Sequence, residues 1–358
     1  MERDRLSFPQ MMALLLGALM GPAAELLPGT AAVAGVAGAL GVTGAVVLMA
    51  GGGLLAHSLA GENGLASGLA KAFGRWGGKA VLTIYIVWFE LLLALRLHQS
   101  ARRLSQCGAQ DGAAWFFILV LAGFALWMAR GRLGALGRAA QLFFGALCVA
   151  GGLVLVFSLA QIRPGRLLSD WSWSAEEVGR VLLPGWQVMG YGLFAPFLWE
   201  PSEKCSAKPW LCSVSLVWLV LVAMQMVIVG RFGPQLTMEW NNAFFQLAEG
   251  IGVKGAFQRV ESLVAAIWVF SDLLLLGGLL WGMQKMVGEL HPGAPVAGIA
   301  ASATGLAVVG AMAVLGVKLS GSDLEGNLVP AGNLLLGVGV PGVAWLLKRV
   351  KKRRKQNG

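Results

Sequence analysis

The chain is poor in charge. Only 13% of its residues are Asp, Glu, Lys or Arg, against roughly 25% in a soluble domain. Hydrophobic residues make up 57% and mean hydropathy is +0.70. That shortage excludes the two or three soluble domains that 358 residues would otherwise suggest. One polytopic membrane domain over residues 1–348 is expected instead. Side chains for catalysis are equally scarce, with two tyrosines, three histidines and four cysteines. Cys107, Cys148, Cys205 and Cys212 have no CxxC or other metal spacing, and His57, His98 and His291 are scattered. P-loop and HExxH motifs are missing, and the GxG at Gly190 and Gly192 lies in an apolar run rather than after a strand. No enzyme activity, cofactor or metal is expected.

What charge there is gathers at one end. The net charge is +10, and most of that excess lies in Lys348, Arg349, Lys351, Lys352, Arg353, Arg354 and Lys355. A basic run abutting a last span, with no folded domain to carry it, reads as a cytoplasmic anchor to anionic headgroups and not as a nucleic-acid site. Residues 349–358 are therefore expected to be a basic tail. Arg3 and Arg5, an apolar run and small residues near Ala31 to Ala34 mimic a signal peptide, but so many further spans follow that an uncleaved first span is expected.

Spans of about 20 apolar residues fill the rest. Ten are expected, over about 8–28, 33–58, 79–103, 113–129, 138–161, 182–200, 209–230, 260–287, 294–317 and 332–348. An even count puts both termini on one side, and the Lys/Arg bias makes that side cytoplasmic, although the loops alone are nearly balanced. The residues around DWSWSAEE suit a membrane interface. Those around MEWNNAFFQLAEGIG suit a short amphipathic helix on the membrane surface.

Two of these segments are interrupted. In the first, Gly17, Gly21 and Pro22 break the run, Pro28 ends it, and Glu25 follows the break. The sixth, 182–200, contains Gln187, Gly190, Tyr191, Gly192 and Pro196. Ten spans divide as five plus five, with halves at about 8–161 and 182–348, so the two breaks correspond, as in an inverted repeat. Backbone groups freed at such breaks must face protein, a cavity or a ligand, and a half-helix N-terminus suits a carboxylate. Gly17 and Gly21 read equally well as a GxxxG packing face with a Pro22 kink. Both tyrosines, Tyr85 and Tyr191, lie inside spans, where a phenol can serve a ligand or simply bond a backbone carbonyl. Candidate ligand contacts are thus Gly17, Gly21, Pro22, Glu25, Tyr85, Gln187, Gly190, Tyr191 and Gly192.

Ionisable groups inside spans are costly and usually functional. Glu90 and Asp272 are the deepest. Asp272, in IWVFSDLLLL, needs a partner or a proton. Glu90 could bind a cation, relay a proton or pair with a distant arginine. Arg96 and His98 lie nearer a span end, where snorkelling is expected. Glu90, Arg96 and Asp272 are candidate coupling or structural charges.

The stretch 255–282 carries Phe257-x-Arg259-x-Glu261 entering a span, then Ile267-Trp268. With Ser7 to Gln10 before the first span, Leu95-Arg96 late in the third, and Gly192 followed by Phe197-Leu198-Trp199-Glu200-Pro201 and a basic stretch, it resembles the B subunits of spore nutrient-germinant receptors. These form the GerAB-type family of the amino acid/polyamine/organocation transporter superfamily. One position departs from that pattern: Phe194 stands where an acidic residue is expected soon after the span-six glycine. The resemblance implies an all-α fold like LeuT and the amino acid permeases, with a pocket between spans one, three, six and eight that adds Trp268 to the ligand contacts. It also implies a spore inner membrane location and partnership with an A subunit and a C lipoprotein subunit. The expected function is binding of a small nutrient, such as an amino acid, that triggers germination. The alternatives are a proton-coupled amino acid permease, and a scaffold or a water or ion path whose ligand is sensed by a partner subunit.

Overall fold

The computed structural model describes residues 6–30, 36–60, 64–108, 114–168, 173–199, 208–240, 243–250, 260–317, 326 and 328–356. Its regular elements are all helical. They are α1 (Phe8–Thr30), α2 (Val36–Leu59), α3 (Gly64–Gly108), α4 (Ala114–Arg130), α5 (Leu133–Leu159), α6 (Pro164–Leu168) and α7 (Ala175–Gly190). A 3₁₀ turn (Tyr191–Phe194) then leads into α8 (Ala195–Leu198). Next come α9 (Lys208–Phe232), α10 (Pro234–Glu239), α11 (Ala243–Glu249), α12 (Val260–Leu290), α13 (Val296–Val317) and α14 (Val329–Leu334). A π turn (Leu335–Gly339) joins α14 to α15 (Val340–Gln356). Among the described residues, 7 helices are long and apolar enough to cross a membrane. Phe116, Phe124 and Trp127 of α4, Leu142 and Val149 of α5, and Leu306 and Val309 of α13 point outward and are exposed. Apolar residues outside as well as inside mark a helical membrane protein, whose solvent is lipid.

The bundle is built around α12. It packs along α3, α1, α5, α4 and α13, and Leu274, Leu275, Leu276, Leu279 and Met286 along it are fully buried. A helix apolar on every side has to sit in the middle. It runs antiparallel to α3: Phe89 lies beside Gly282, while Arg96 and Arg103 reach Asp272.

Helix boundaries follow local chemistry. Ser174 accepts from the Glu177 amide and the Glu177 side chain accepts from the Ser174 amide, a capping box that starts α7 well before residue 182. The interfacial DWSWSAEE segment thus carries the N-cap of the sixth long helix. At Gly74, φ is 81°, a left-handed conformation natural to glycine, and a short first limb of α3 turns there into the long one. The amphipathic segment near residue 245 is helical, as α11. It packs on the bundle against α12 and α1, burying Phe244, Leu247 and Ala248. Arg231 donates to the carbonyls of Leu247 and Gly250, each at 3.1 Å, and so caps that helix.

The described part of the basic C-terminal run is helical: α15 continues through it to Gln356. Lys348 Nζ donates to the Ser58 carbonyl at 2.7 Å and Lys351 Nζ to the Ala72 carbonyl at 2.8 Å. Those carbonyls end α2 and the first limb of α3, where cations are favoured.

Gly190 is a close-approach position. The Asn333 side chain lies against it, where any Cβ would collide. Asn333 accepts from Trp88 Nε1 at 2.9 Å and donates to the Gln187 carbonyl at 3.4 Å. Gly190→Ala is expected to lower stability by about 1–3 kcal/mol through overpacking. Gly145→Ala, whose Cβ meets nothing within 4 Å, should be neutral or stabilising by up to about 1 kcal/mol. Thermal unfolding of the purified protein in detergent compares the two.

Candidate functional site

The first break is not a gap in the helix. α1 runs unbroken through Gly17, Gly21 and Pro22 to Thr30, and its disruption is confined to hydrogen bonds. Pro22 has no N–H to give the Ala18 carbonyl. At the same level the Ser271 hydroxyl of α12 accepts from the Gly21 amide at 2.6 Å and donates to the Gly17 carbonyl at 2.5 Å, with the Ala18 carbonyl 3.4 Å away. A serine from another helix is thus spliced into the ladder, a known cause of local bending. The Gly21 amide expected to await a ligand carboxylate is occupied by Ser271. Gly17 packs against Leu274 and Gly192 against Met49 and Leu15, so all three glycines serve close helix contact.

The second break is a tightening rather than an unwinding. Tyr191 to Phe194 form one 3₁₀ turn whose flanking residues keep right-handed helical angles. Tyr85 and Gly192 meet nearby, at a cavity of 30 Å³ that Trp186 and Gly337 also line. That is room for a water or two, and not for an amino acid. The Tyr85 hydroxyl donates to the Leu336 carbonyl at 2.5 Å, within the π turn, where backbone carbonyls lose their usual partners. Of the two roles open to Tyr85, this geometry is the bond to a backbone carbonyl.

The intramembrane charges come together. Arg96 donates from Nε (3.0 Å) and Nη2 (2.7 Å) to Asp272 Oδ1, and from Nη1 to Glu25 Oε2 (2.9 Å) and Gln99 Oε1 (3.1 Å). Arg103 donates from Nη1 to Glu25 Oε2 at 2.6 Å and from Nη2 to Asp272 Oδ2. Two guanidinium groups from α3 thus meet one carboxylate from α1 and one from α12, and the set is neutral. Arg96 and Asp272 are fully buried, Arg103 is 4% exposed and Glu25 15%. Arg96 therefore does not snorkel; each of its three head-group nitrogens is bonded inside. Gly21 makes this possible, because a Cβ there would meet Ser271 Oγ at 2.8 Å and Arg96 Nη2 and Asp272 Oδ1 at 3.2 Å. Tyr191 lies within electrostatic reach of Arg96. Near the junction of spans one, three, six and eight, where the pocket was expected, α1, α3 and α12 place this ion cluster.

Glu90 stands apart, half-buried on α3, its Oε1 without a hydrogen-bond partner among the described residues. Trp268 holds the Arg103 guanidinium over its ring at 4.8 Å and meets Phe244 edge-on. Trp268 also lines an apolar cavity of 200 Å³ between α1, α5, α9, α11 and α12. Phe257, Arg259, Glu200, Pro201 and the side chains of Glu261 and Ile267 fall outside the described residues.

Arg103, Ser271 and Gln99 escaped the sequence reading. Seven residues separate Arg96 from Arg103, two turns on one face, and Ser271 forms a polar doublet with Asp272 in an apolar run. Those signals were available; the partners were not. Comparison with models of known protein families and with curated proteins gives no match.

Breaking a buried pair leaves an uncompensated charge. Asp272→Asn is expected to destabilise by about 3–5 kcal/mol, with partial recovery when Arg103→Gln is added. Ser271→Ala strands the Gly21 amide and should cost about 1–3 kcal/mol. Unfolding midpoints of the three variants, measured in one detergent, test this order.

Proposed function

We propose that the chain is the membrane subunit of a spore nutrient-germinant receptor. In this reading it crosses the spore inner membrane ten times with both termini cytoplasmic and works beside an A subunit and a C lipoprotein subunit. We infer a 5+5 inverted repeat in which α1 and α7 are the first and sixth spans. The resemblance in 255–282 supports the family, and the observation that carries the mechanism is the state of Glu25. It closes the ion cluster with a single oxygen shared by Arg96 and Arg103, and it is the most exposed of the four charges.

A free amino acid brings a carboxylate of the same chemistry. Exchanging it for Glu25 keeps both guanidinium groups paired and unlatches α1 from α3. The nutrient then favours the unlatched state by its differential affinity alone. Moving the population from 1:99 to 99:1 takes about 10⁴-fold tighter binding to that state. Glu25→Gln weakens the latch and should shift germination to lower nutrient concentration, several-fold, in spores with unchanged subunit abundance. An unchanged dose–response curve would overturn this role for Glu25. Gly21→Leu and Gly190→Leu do not discriminate, since both positions are packed against side chains.

The unpartnered Glu90 oxygen favours a second reading, a permease that couples amino acid movement to protons. Uptake into proteoliposomes driven by a pH gradient, abolished by Glu90→Gln, would establish it. Saturable binding without uptake supports the receptor.

A further inference from the structure

One wall of the 200 Å³ cavity is α5, where Ala150 adds to a main stripe and the exposed Cys148 marks an opening at the outer surface of the bundle. Phe144, Leu147, Cys148, Gly151, Gly152 and Leu155 all line it, at the i, i+3, i+4, i+7, i+8, i+11 spacing of a single stripe. Two glycines within that stripe leave the space: a Cβ on either would meet nothing within 4 Å. Any larger residue there would fill the void and improve the helix. The remaining walls are also uncharged, from Met20 and Ala24 of α1, Val220 and Met224 of α9, Phe244 of α11 and Trp268 of α12. An engineered apolar cavity of about 150 Å³ takes up benzene, so this one has room for a single ring or a branched chain.

Two features tie the cavity to the ion cluster. Ala24 lines it and is followed in the chain by Glu25. Trp268 is shared between the two: it lines the cavity, and its ring carries the Arg103 guanidinium. The indole is 4% exposed, and its Nε1 has no hydrogen-bond partner among the described residues. Ring contacts with Arg103 and Phe244, and no hydrogen bond from Nε1, therefore hold the indole in place, and a buried donor is available to a ligand.

We propose that this cavity receives the apolar side chain of the nutrient, so that the protein selects branched-chain and aromatic amino acids. The inference rests on the nutrient-binding reading above and specifies its substrate class. The side chain enters against α5, Trp268 swings aside and gives its N–H to the ligand carboxylate, and that carboxylate comes within reach of Arg103. Amino acids with small or polar side chains leave the cavity unfilled and gain nothing from it.

Calorimetric titration of the full chain in lipid nanodiscs tests this with L-leucine, L-valine, L-phenylalanine, L-alanine and glycine. The wild type should bind the first three at least tenfold more tightly than the last two. Gly152→Leu should remove that preference, while Gly145→Leu, on the same helix but outside the cavity, should keep it. Binding of leucine that is equal to that of alanine, or is unaffected by Gly152→Leu, overturns the inference and leaves the nutrient reading standing. Absence of binding by all five overturns both. A co-purifying lipid seen by native mass spectrometry and lost in Gly152→Leu, with no saturable leucine binding, assigns the cavity to an acyl chain and overturns the inference.

Discussion

Four charges inside an apolar bundle persist only as a closed set. Arg96, Arg103, Glu25 and Asp272 form one, with Gln99 taking a remaining guanidinium donor. Each ion alone would be costly at membrane depth, so the folded state has to bring α1, α3 and α12 to one level. Much else follows from that requirement. α12 must be central because its carboxylate faces inward, Gly21 must lack a side chain so that the arginine can approach α1, and one face of α3 must bring Arg96 and Arg103 to the level of Asp272. The set stabilises this arrangement chiefly by penalising others, since removing any one member strands the rest.

Next to the charges sits a weakened piece of backbone. Pro22 removes a donor from α1 and Ser271 takes over the Gly21 amide. The hydroxyl and Asp272 are adjacent in sequence, so α12 delivers both the hydrogen-bond splice and the counter-charge to the same turn of α1. A shift of α12 relative to α1 would therefore disturb ladder and ion cluster together. Such coupling of two local interactions in one contact makes a packed junction switch between discrete arrangements instead of deforming smoothly.

The fold class was legible because lipid imposes one rule: apolar stretches must be helices. Asp272 amid leucines announced a partner, and Pro22 after Gly21 announced a missing donor. Identity of the partners was not legible. The pairing of Arg103 with Asp272 spans 169 positions and depends on the relative register of α3 and α12, which no local pattern encodes. The partner of the Gly21 amide is hidden for a related reason. Sequence shows that a backbone group is released but not that a serine 250 residues away arrives to meet it. Conversely, the α7 capping box, Ser174 with Glu177, is purely local. It lay in plain view within a segment whose tryptophans drew the reading toward the interface.

Lys348 and Lys351 each cap a helix end, on α2 and on the first limb of α3. They belong to the same basic run that suits anionic headgroups. An ammonium bonded to a backbone carbonyl is not free to sit among phosphates, so bilayer and bundle compete for the same two side chains. Were that run to face an anionic leaflet, lipid composition would become a thermodynamic variable of the helix ends: pairing with phosphates would require these two caps to open.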